Sequence, residues 1–250
     1  MRMNFHRIAY EALDVCNAVT PAVVETAVEA AMDRAGPAPG ARALDIGCGN
    51  GFVAIRLAER FGLAVTAVEA DPVMADLARS RIAASPAAGR IALVEGLSGP
   101  VLDAGAPWDL IVALGTTEPA GGGVRDPEGV LRALGRRLGP GGRLLWGDMT
   151  WIAPPPEPLR QVVEMRHLYA DDAGWRAAAG AAGLEVLWGE VSPPEVWADY
   201  RDRMLAAAAR WTAAHPDHPD GAAVAARMRQ AQTLFRFGEG HMGFGLYLLG

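Results

Sequence analysis

The chain has 250 residues, 51% of them hydrophobic, which is enough for one large domain with a substantial core. Its formal net charge is −6 and it has no run of Lys or Arg, which argues against binding to nucleic acid or an anionic membrane. Two cysteines are too few for a disulfide framework. No segment is apolar over the length that a membrane span needs, and the N-terminus lacks the apolar core of a signal peptide. We therefore expect a cytoplasmic protein.

The first half of the chain alternates between strands and helices. Residues 8–35 read as helical, with Thr20-Pro21 as a helix start and Gly36-Pro37 as the helix end. Strands are then predicted at 42–47, 64–69, 90–95, 108–114 and 142–149, and helices at 51–61, 72–84 and 126–138. Strands that alternate with helices indicate a parallel sheet that is covered by helices on both faces.

The second half departs from this alternation at Ala153-Pro154-Pro155-Pro156. Helices are predicted at 157–169 and 171–182, strands at 184–189 and 242–249, and two further helices within 193–238, on either side of residues 215–220. We therefore divide the chain into an N-terminal helical cap (1–36), a ligand-binding core (37–192), a helical insertion (193–238) and a last core strand (239–250). The cap and the insertion are expected to cover the site as a lid.

Residues 43–51, Ala-Leu-Asp-Ile-Gly-Cys-Gly-Asn-Gly, connect an apolar strand to an amphipathic helix through a glycine turn. The glycines allow a sharp turn and close approach of a ligand, and Asn50 is a candidate N-cap of the helix. Glu69 ends the next strand about 20 residues later, where a carboxylate can accept both ribose hydroxyls of a nucleoside. This pattern indicates an adenosine-containing ligand, although the Gly-x-Gly-x-x-Gly spacing of dinucleotide sites is not met.

Four blocks of the sequence resemble those of the class I S-adenosylmethionine (SAM)-dependent methyltransferases, in the same order. They lie at 44–51, 68–74, 108–114 and 138–145. The resemblance implies a doubly wound, Rossmann-like α/β fold with a mostly parallel, seven-stranded sheet, and it implies SAM as cofactor and S-adenosylhomocysteine as product. It also implies that the cofactor-binding residues are Asp45, Gly47, Cys48, Gly49, Asn50, Gly51, Glu69, Ala70, Leu97, Ser98, Leu114 and Gly115.

The loop after the third strand departs from the pattern of this family. Relatives usually carry an acidic residue there, which receives the amino group of adenine. In this chain Gly96 is followed by Leu97, which cannot accept that hydrogen bond, and by Ser98. Ser98 or the backbone is therefore expected to replace the missing carboxylate.

Methyl transfer from a sulfonium needs mainly alignment of the reactants, and it needs a general base when the acceptor loses a proton. Three side chains are candidates for catalytic roles. Glu118 follows the fourth strand, where many relatives carry a His, and Asp148 ends the fifth strand, while Tyr10 lies in the cap. The alternative for Glu118 is a solvated loop carboxylate, and Asp148 carries a similar ambiguity.

Candidates for acceptor contacts lie in the cap, after the fourth and fifth strands and on one aromatic helix face: Asn17, Thr116, Thr117, Trp151, Trp197 and Tyr200. The aromatic face could line a pocket or stack on a cation, or it could belong to the core. The five histidines form no ligand set, so we expect no metal.

The sequence thus predicts a methyltransferase that acts on a small-molecule N or O nucleophile, in secondary-metabolic biosynthesis, with neither nucleic acid nor membrane as partner. The alanine-rich helices could pair two copies as a homodimer. Two alternatives stay open. The protein could cyclise SAM, as azetidine-2-carboxylate synthases do with release of methylthioadenosine, or it could bind SAM without catalysis.

Overall fold

The computed structural model describes residues 2–32, 38, 40–105, 107–124, 126–165 and 169–250. Its strands are β1 (Arg42–Ile46), β2 (Ala64–Glu69), β3 (Ile91–Glu95), β4 (Trp108–Leu114), β5 (Leu138–Trp151), β6 (Ala170–Asp171), β7 (Val186–Val191) and β8 (Met242–Leu249). Its α-helices are α1 (Phe5–Glu11), α2 (Pro21–Met32), α3 (Phe52–Phe61), α4 (Pro72–Ala84), α5 (Ser98–Gly105), α6 (Pro127–Gly135), α7 (Glu157–Glu164), α8 (Asp172–Ala181), α9 (Pro194–Ala214) and α10 (Gly221–Gly238).

The strands form one sheet in the order β3-β2-β1-β4-β5-β8-β7, and the two-residue β6 pairs with β5. Neighbours from β3 to β5 run parallel, whereas β8 is antiparallel to both β5 and β7. The predicted doubly wound, mostly parallel fold is confirmed, with β6 as an eighth strand. The strand order reverses between β1 and β4, and this is where α/β proteins of this kind bind ligands.

The sheet separates two apolar layers, because successive side chains of a strand point to opposite faces. Leu44 and Ile46 of β1 pack in the layer formed with α5, α6 and α8, whereas Ala43 packs in the layer that holds α2, α3, α9 and α10. The two helices between β7 and β8 therefore cover the same face of the sheet as the N-terminal helices. Helix α1 packs against α4, α9 and α10.

Several predicted elements have different bounds in the structure. Residues 8–35 are helical only in part, because α1 and α2 are separated by a bent segment. Helix α2 begins at Pro21 as predicted, and its expected end at Gly36-Pro37 lies outside the described residues. Helix α5 was not predicted, and β5 begins at Leu138 rather than at residue 142. Helix α7 ends at Glu164, before the predicted end at residue 169. Residues 166–168 of the predicted helix lie outside the described residues.

Candidate active site

The glycine turn between β1 and α3 is tightly enclosed. Gly47 and Gly49 have φ angles of 67° and 55°, a left-handed conformation that favours glycine. A Cβ on Gly47 would lie 2.5 Å from Thr116 Oγ1, and one on Gly49 would lie 3.0 Å from Cys16 Sγ. Cys48 is buried, and its N–H donates to the carbonyl of Val68 at 2.9 Å. The turn therefore lies between the loop after β4 and the N-terminal segment.

Asn50 does not cap α3 as predicted, because Gly51 occupies the N-cap position without a side-chain hydrogen bond. The buried Asn50 amide nitrogen instead lies 2.9–3.0 Å from the carbonyl oxygens of Tyr10, Leu13 and Asp14. Its carbonyl oxygen accepts from the N–H of Phe52 at 3.0 Å. Asn50 thus attaches the N-terminal segment to the glycine turn.

The Glu69 carboxylate is held in place by two backbone groups. The N–H of Gly49 donates to one oxygen and the N–H of Asp71 to the other, each at 2.9 Å. Burial raises the pKa of the Glu69 carboxyl, and these backbone N–H groups act in the opposite direction. Each carboxylate oxygen can accept a further hydrogen bond, so the group fits a pair of hydroxyls such as those of a ribose.

Asp45 is a buried carboxyl beside this turn. Its side chain is 3% exposed, and its Oδ2 has no hydrogen-bond partner among the described residues. Burial, followed by the nearby Glu69, raises the pKa of Asp45 to about 7. An unsatisfied buried polar atom costs about 1–3 kcal/mol, so a ligand that donates to it would stabilise this part of the fold. Together with Glu69 and the turn, Asp45 fits a SAM site.

The loops after β2 and β3 border this site on one side. Ala70 is exposed, and Leu97 is 74% exposed. The hydroxyl of Ser98 donates to the carbonyl of Pro119 at 2.9 Å, which connects the loop after β3 to the loop after β4. The replacement of the family's adenine-binding carboxylate by Ser98 or the backbone stays a prediction.

The end of β4 is joined to its neighbours by hydrogen bonds. The Asn17 amide donates to the carbonyl of Leu114 at 3.0 Å, and Thr116 Oγ1 donates to the carbonyl of Ile46 at 2.8 Å. The N–H of Gly115 donates to the carbonyl of Gly147 at 2.7 Å. Asn17 and Thr116 therefore have structural partners here, whereas Thr117 is exposed. Their contact with an acceptor stays a prediction.

The two predicted catalytic carboxyls differ in environment. Glu118 is half-buried in the loop after β4, and with a φ of 53° it has a left-handed backbone that is unusual for a non-glycine residue. Asp148 is buried and accepts from the N–H of Met149 at 2.7 Å. Burial raises the pKa of Asp148 to about 8, so its carboxyl is mostly protonated at neutral pH.

Six aromatic side chains form what we call the aromatic cluster: Tyr10, Trp151, Tyr169, Trp197, Tyr200 and Phe235. Ring centroids lie 4.8 Å apart for Trp151 and Tyr169, and 6.2 Å apart for Trp197 and Tyr200. Phe235 lies 5.7 Å from Trp197 and 6.2 Å from Tyr200. Tyr10 and Tyr200 share a side-chain hydrogen bond, and burial raises the pKa of Tyr10 to about 12. Three predicted residues, Tyr10, Trp197 and Tyr200, are thus in contact, and the predicted Trp151 contacts Tyr169, which is close enough to Tyr200 to interact with it electrostatically.

The aromatic cluster reaches from the cofactor end of the site to Asp148. Tyr10 is close enough to Glu69 and Cys16 to interact electrostatically with both, and Tyr169 does so with Asp148 and Tyr200. Sequence reasoning missed Cys16 and Tyr169 as site residues. The sequence analysis placed Tyr169 at the end of the predicted helix 157–169, where nothing marked it as a site residue.

The described residues lack two kinds of feature. They contain no group of three or more His, Cys, Asp and Glu side chains that could hold a metal ion, and His167 lies outside them. No helix within the described ranges is both long enough and apolar enough to cross a membrane.

Comparison with known proteins identifies the fold and the core. Residues 43–142 match the family model of a methyltransferase domain. A SAM-dependent methyltransferase from Geobacter sulfurreducens, crystallised with S-adenosylhomocysteine, superposes with a TM-score of 0.82 at 23% identity over 98% of this chain and 97% of that chain. A SAM-dependent methyltransferase from Thiobacillus denitrificans, crystallised with the same molecule, gives a TM-score of 0.82 at 21% identity over 100% and 98% of the two chains.

The name of one curated sequence relative gives a tRNA as its substrate. The tRNA1(Val) (adenine(37)-N6)-methyltransferase of Aeromonas salmonicida is 43% identical over 101 residues, which are 39% of this chain and 40% of the relative. The chain thus spans less than half the length of this relative. These matches confirm the predicted family resemblance and fold, and they support a transferase that uses SAM. Residues 43–142 match the methyltransferase-domain family model, and the chain as a whole has the fold of the class I SAM-dependent methyltransferases.

Proposed function

We propose that the protein is a SAM-dependent methyltransferase whose acceptor is a small molecule with an N or O nucleophile, within biosynthetic secondary metabolism. The observation that carries this proposal is the continuity of the site. The aromatic cluster connects Glu69 at the glycine turn with Asp148 at the end of β5, through interactions that involve Tyr10, Tyr200 and Tyr169. A small acceptor held in this cluster would therefore lie next to the cofactor.

In this proposal SAM, when bound, supplies an electrophilic methyl group, and the protein supplies binding and alignment. Glu69 would accept the ribose hydroxyls, with Asp45 and the glycine turn near the methionyl end. The N-terminal segment and α9 would exclude water as a lid, in line with the predicted cap and insertion. Glu118 is the proposed proton acceptor, and Tyr10 is proposed to orient the acceptor. Asp148 would take the role of base only in its ionised form, above the pKa of about 8 that burial gives it.

The tRNA substrate named for the curated relative is less consistent with this chain. A tRNA-binding surface neutralises phosphates with clustered Lys and Arg, whereas this chain carries a formal net charge of −6. The match to the relative also covers only 39% of this chain, so the similarity does not extend to most of the protein, including much that would shape an acceptor site. We therefore favour the small molecule.

The proposal is tested by incubating the purified protein with SAM and measuring both adenosine products by mass spectrometry. We expect S-adenosylhomocysteine to form with pools of small amines or phenols, and not with unmodified tRNA. Formation with tRNA alone would contradict the small-molecule proposal. Methylthioadenosine from SAM alone would indicate the cyclisation alternative, and tight SAM binding with no product in any arm would indicate a non-catalytic protein.

A further inference from the structure

A groove lies between helices α7 and α10, away from the residues that the proposed function uses. Its volume is about 690 Å³, which is within the range of roughly 300–1,000 Å³ that small-ligand sites occupy. Nine described residues line this α7–α10 groove: Pro158, Leu159, Val162, Ala226, Arg229, Gln230, Thr233, Leu234 and Phe237. The fold therefore contains a second cavity that is large enough for a small ligand.

The groove has an apolar floor and apolar walls. Leu159 is buried and Leu234 is half-buried, and both pack in the apolar layer that also holds α9. Val162 and Phe237, in contrast, are 56% and 58% exposed, and they are two of the five exposed large apolar side chains in the described part of the chain. Apolar side chains that stay exposed around a groove are typical of a binding site for an apolar group.

One edge of the groove is cationic. Helix α10 contains Arg227, Arg229 and Arg236 and no acidic residue, although the chain has a net charge of −6. Arg229 lines the groove, and its guanidinium makes no hydrogen bond or ion pair within the described ranges. The carbonyl oxygen of Gln230 accepts from Arg227 at 3.1 Å, which leaves the amide NH₂ group of Gln230 as a donor. This edge therefore offers donors and a positive charge to an anionic group.

The acidic residues that flank the two helices do not cancel this charge. Glu157 at the start of α7 pairs with Arg160 at 2.9 Å, and Glu239 after α10 pairs with Arg201 at 3.7 Å. None of the nine described lining residues is acidic. The groove thus combines apolar walls with a net positive edge.

The dimensions of the groove favour a small ligand over a second copy of the chain. A stable interface involves about 20–30 residues on each side, whereas nine described residues line this groove. The stretch of α10 from Ala226 to Phe237 is about 16 Å long. An aliphatic chain with one anionic end could lie along it and place that end at Arg229.

We propose that the α7–α10 groove binds a monomeric aliphatic carboxylate, with its chain against Val162 and Phe237 and its carboxylate beside Arg229. This inference goes beyond the proposed function, because it assigns a second ligand to a part of the molecule that contains none of the proposed cofactor-binding or catalytic residues.

The test measures binding to the whole protein by calorimetry with decanoate, decan-1-ol and decylammonium, which share one chain and differ in the charge of the head group. We expect one decanoate per protein, bound about threefold to fivefold more tightly than decan-1-ol. Decylammonium should bind more weakly than either. Octanoate, which is two CH₂ groups shorter, should bind about tenfold more weakly than decanoate. No binding of decanoate below its micellar concentration, or no preference for it over decan-1-ol, would overturn the proposal.

Two variants on opposite sides of the groove locate the site, each with a matched control. Arg229→Gln should remove the preference for decanoate and leave decan-1-ol binding unchanged, whereas Arg210→Gln, at an exposed position on α9, should change neither. Val162→Glu places a carboxylate among the lining residues and should weaken decanoate binding about tenfold or more. Gln161→Glu adds the same charge at the neighbouring exposed position of α7, outside the lining, and should have little effect. Unchanged decanoate affinity in both Arg229→Gln and Val162→Glu would contradict the assignment.

Two further measurements identify other occupants of the groove. We expect the mass of the protein in sedimentation to be the same in wild type and Val162→Glu, and we expect no flotation with phosphatidylglycerol vesicles. A dimer that dissociates in Val162→Glu would show that a second copy occupies the groove, and flotation without binding of free decanoate would show that a membrane surface does. Either result would overturn the proposal. Neither depends on the binding of S-adenosylhomocysteine, so the proposed function is tested separately.

Discussion

Among the described residues, Asp148 combines deep burial with one hydrogen bond, from the N–H of Met149. Burial raises its pKa to about 8 in the folded protein, compared with an ordinary value of 3.8. Between these two values the unfolded chain binds fewer protons than the folded one. The unfolding free energy therefore falls as pH rises through this window, by up to about 1.4 kcal/mol per pH unit from this group.

We predict that Asp148→Asn weakens this pH dependence between pH 4 and 8. The asparagine oxygen can still accept from the backbone N–H, and the side chain does not ionise. Urea denaturation at several pH values checks the prediction, with Asp217→Asn as the control for an exposed carboxyl. Parallel pH profiles for wild type and Asp148→Asn would show that Asp148 is already ionised in the folded protein.

Gly115 shows how close the N-terminal segment lies to β4. Its φ is 60°, and a Cβ there would lie 2.2 Å from Asn17 Oδ1. Gly183 offers a matched control, because its φ is 83° and nothing lies within 4 Å of a Cβ placed on it. The two sites share the backbone strain of a left-handed residue, and only Gly115 adds a steric clash.

We predict that Gly115→Ala lowers the unfolding free energy by about 1–3 kcal/mol more than Gly183→Ala does. Adding Asn17→Ala to Gly115→Ala should recover part of that difference, because the smaller side chain removes the clash. Urea denaturation of the single and double variants gives the coupling free energy between positions 17 and 115. Equal losses of unfolding free energy in Gly115→Ala and Gly183→Ala would mean that Asn17 does not occupy the space next to Gly115.

At the scale of elements, the N-terminal segment is held to the sheet by Asn50. Its amide lies within hydrogen-bond distance of three carbonyls in that segment, those of Tyr10, Leu13 and Asp14. Arg203 of α9 makes one further hydrogen bond, to the carbonyl of Ala12 at 2.6 Å, from an exposed position. The buried asparagine should therefore stabilise the segment far more than the exposed arginine does.

We predict that Asn50→Ala lowers the unfolding free energy by about 1–3 kcal/mol, because the buried amide is lost and the Asp14 carbonyl keeps no other donor among the described residues. The carbonyls of Tyr10 and Leu13 keep the N–H of Leu13 and the guanidinium of Arg81. Hydrogen exchange should accelerate across residues 5–20. Arg203→Ala is the control and should change both quantities little. If hydrogen exchange across residues 5–20 stays unchanged in Asn50→Ala, Asn50 does not hold this segment to the sheet.

The sequence predicts the elements of the core well, because their signals are local. Apolar runs and glycine turns predict β1, β2 and β4. The helical spacing of the aromatic residues predicts that Trp197 and Tyr200 lie on one helix face. It could not predict the role of Asn50 or the place of Tyr169, because both depend on contacts between distant parts of the chain. The hydrogen bond between Tyr10 and Tyr200 has no local signature of this kind.

At the scale of the whole molecule, three parts of the chain build the proposed site. The sheet supplies Glu69 and Asp148, the N-terminal segment supplies Tyr10 and Cys16, and α9 and α10 supply Trp197, Tyr200 and Phe235. All these groups come from a single chain, so the proposed chemistry does not require the homodimer that the sequence suggested.

The central claim is that Glu69 holds a sulfonium nucleoside at the glycine turn. Calorimetry with S-adenosylhomocysteine tests it directly on wild type, Glu69→Ala and Glu95→Ala. Glu95 is the matched control, because it pairs in register with Glu69 on the adjacent strand but lies exposed and bonded to Arg79. Loss of hydrogen bonds to a charged group should weaken binding about 10–100-fold in Glu69→Ala, and Glu95→Ala should bind like wild type. No binding to wild type, or equal affinity in all three proteins, would contradict the claim.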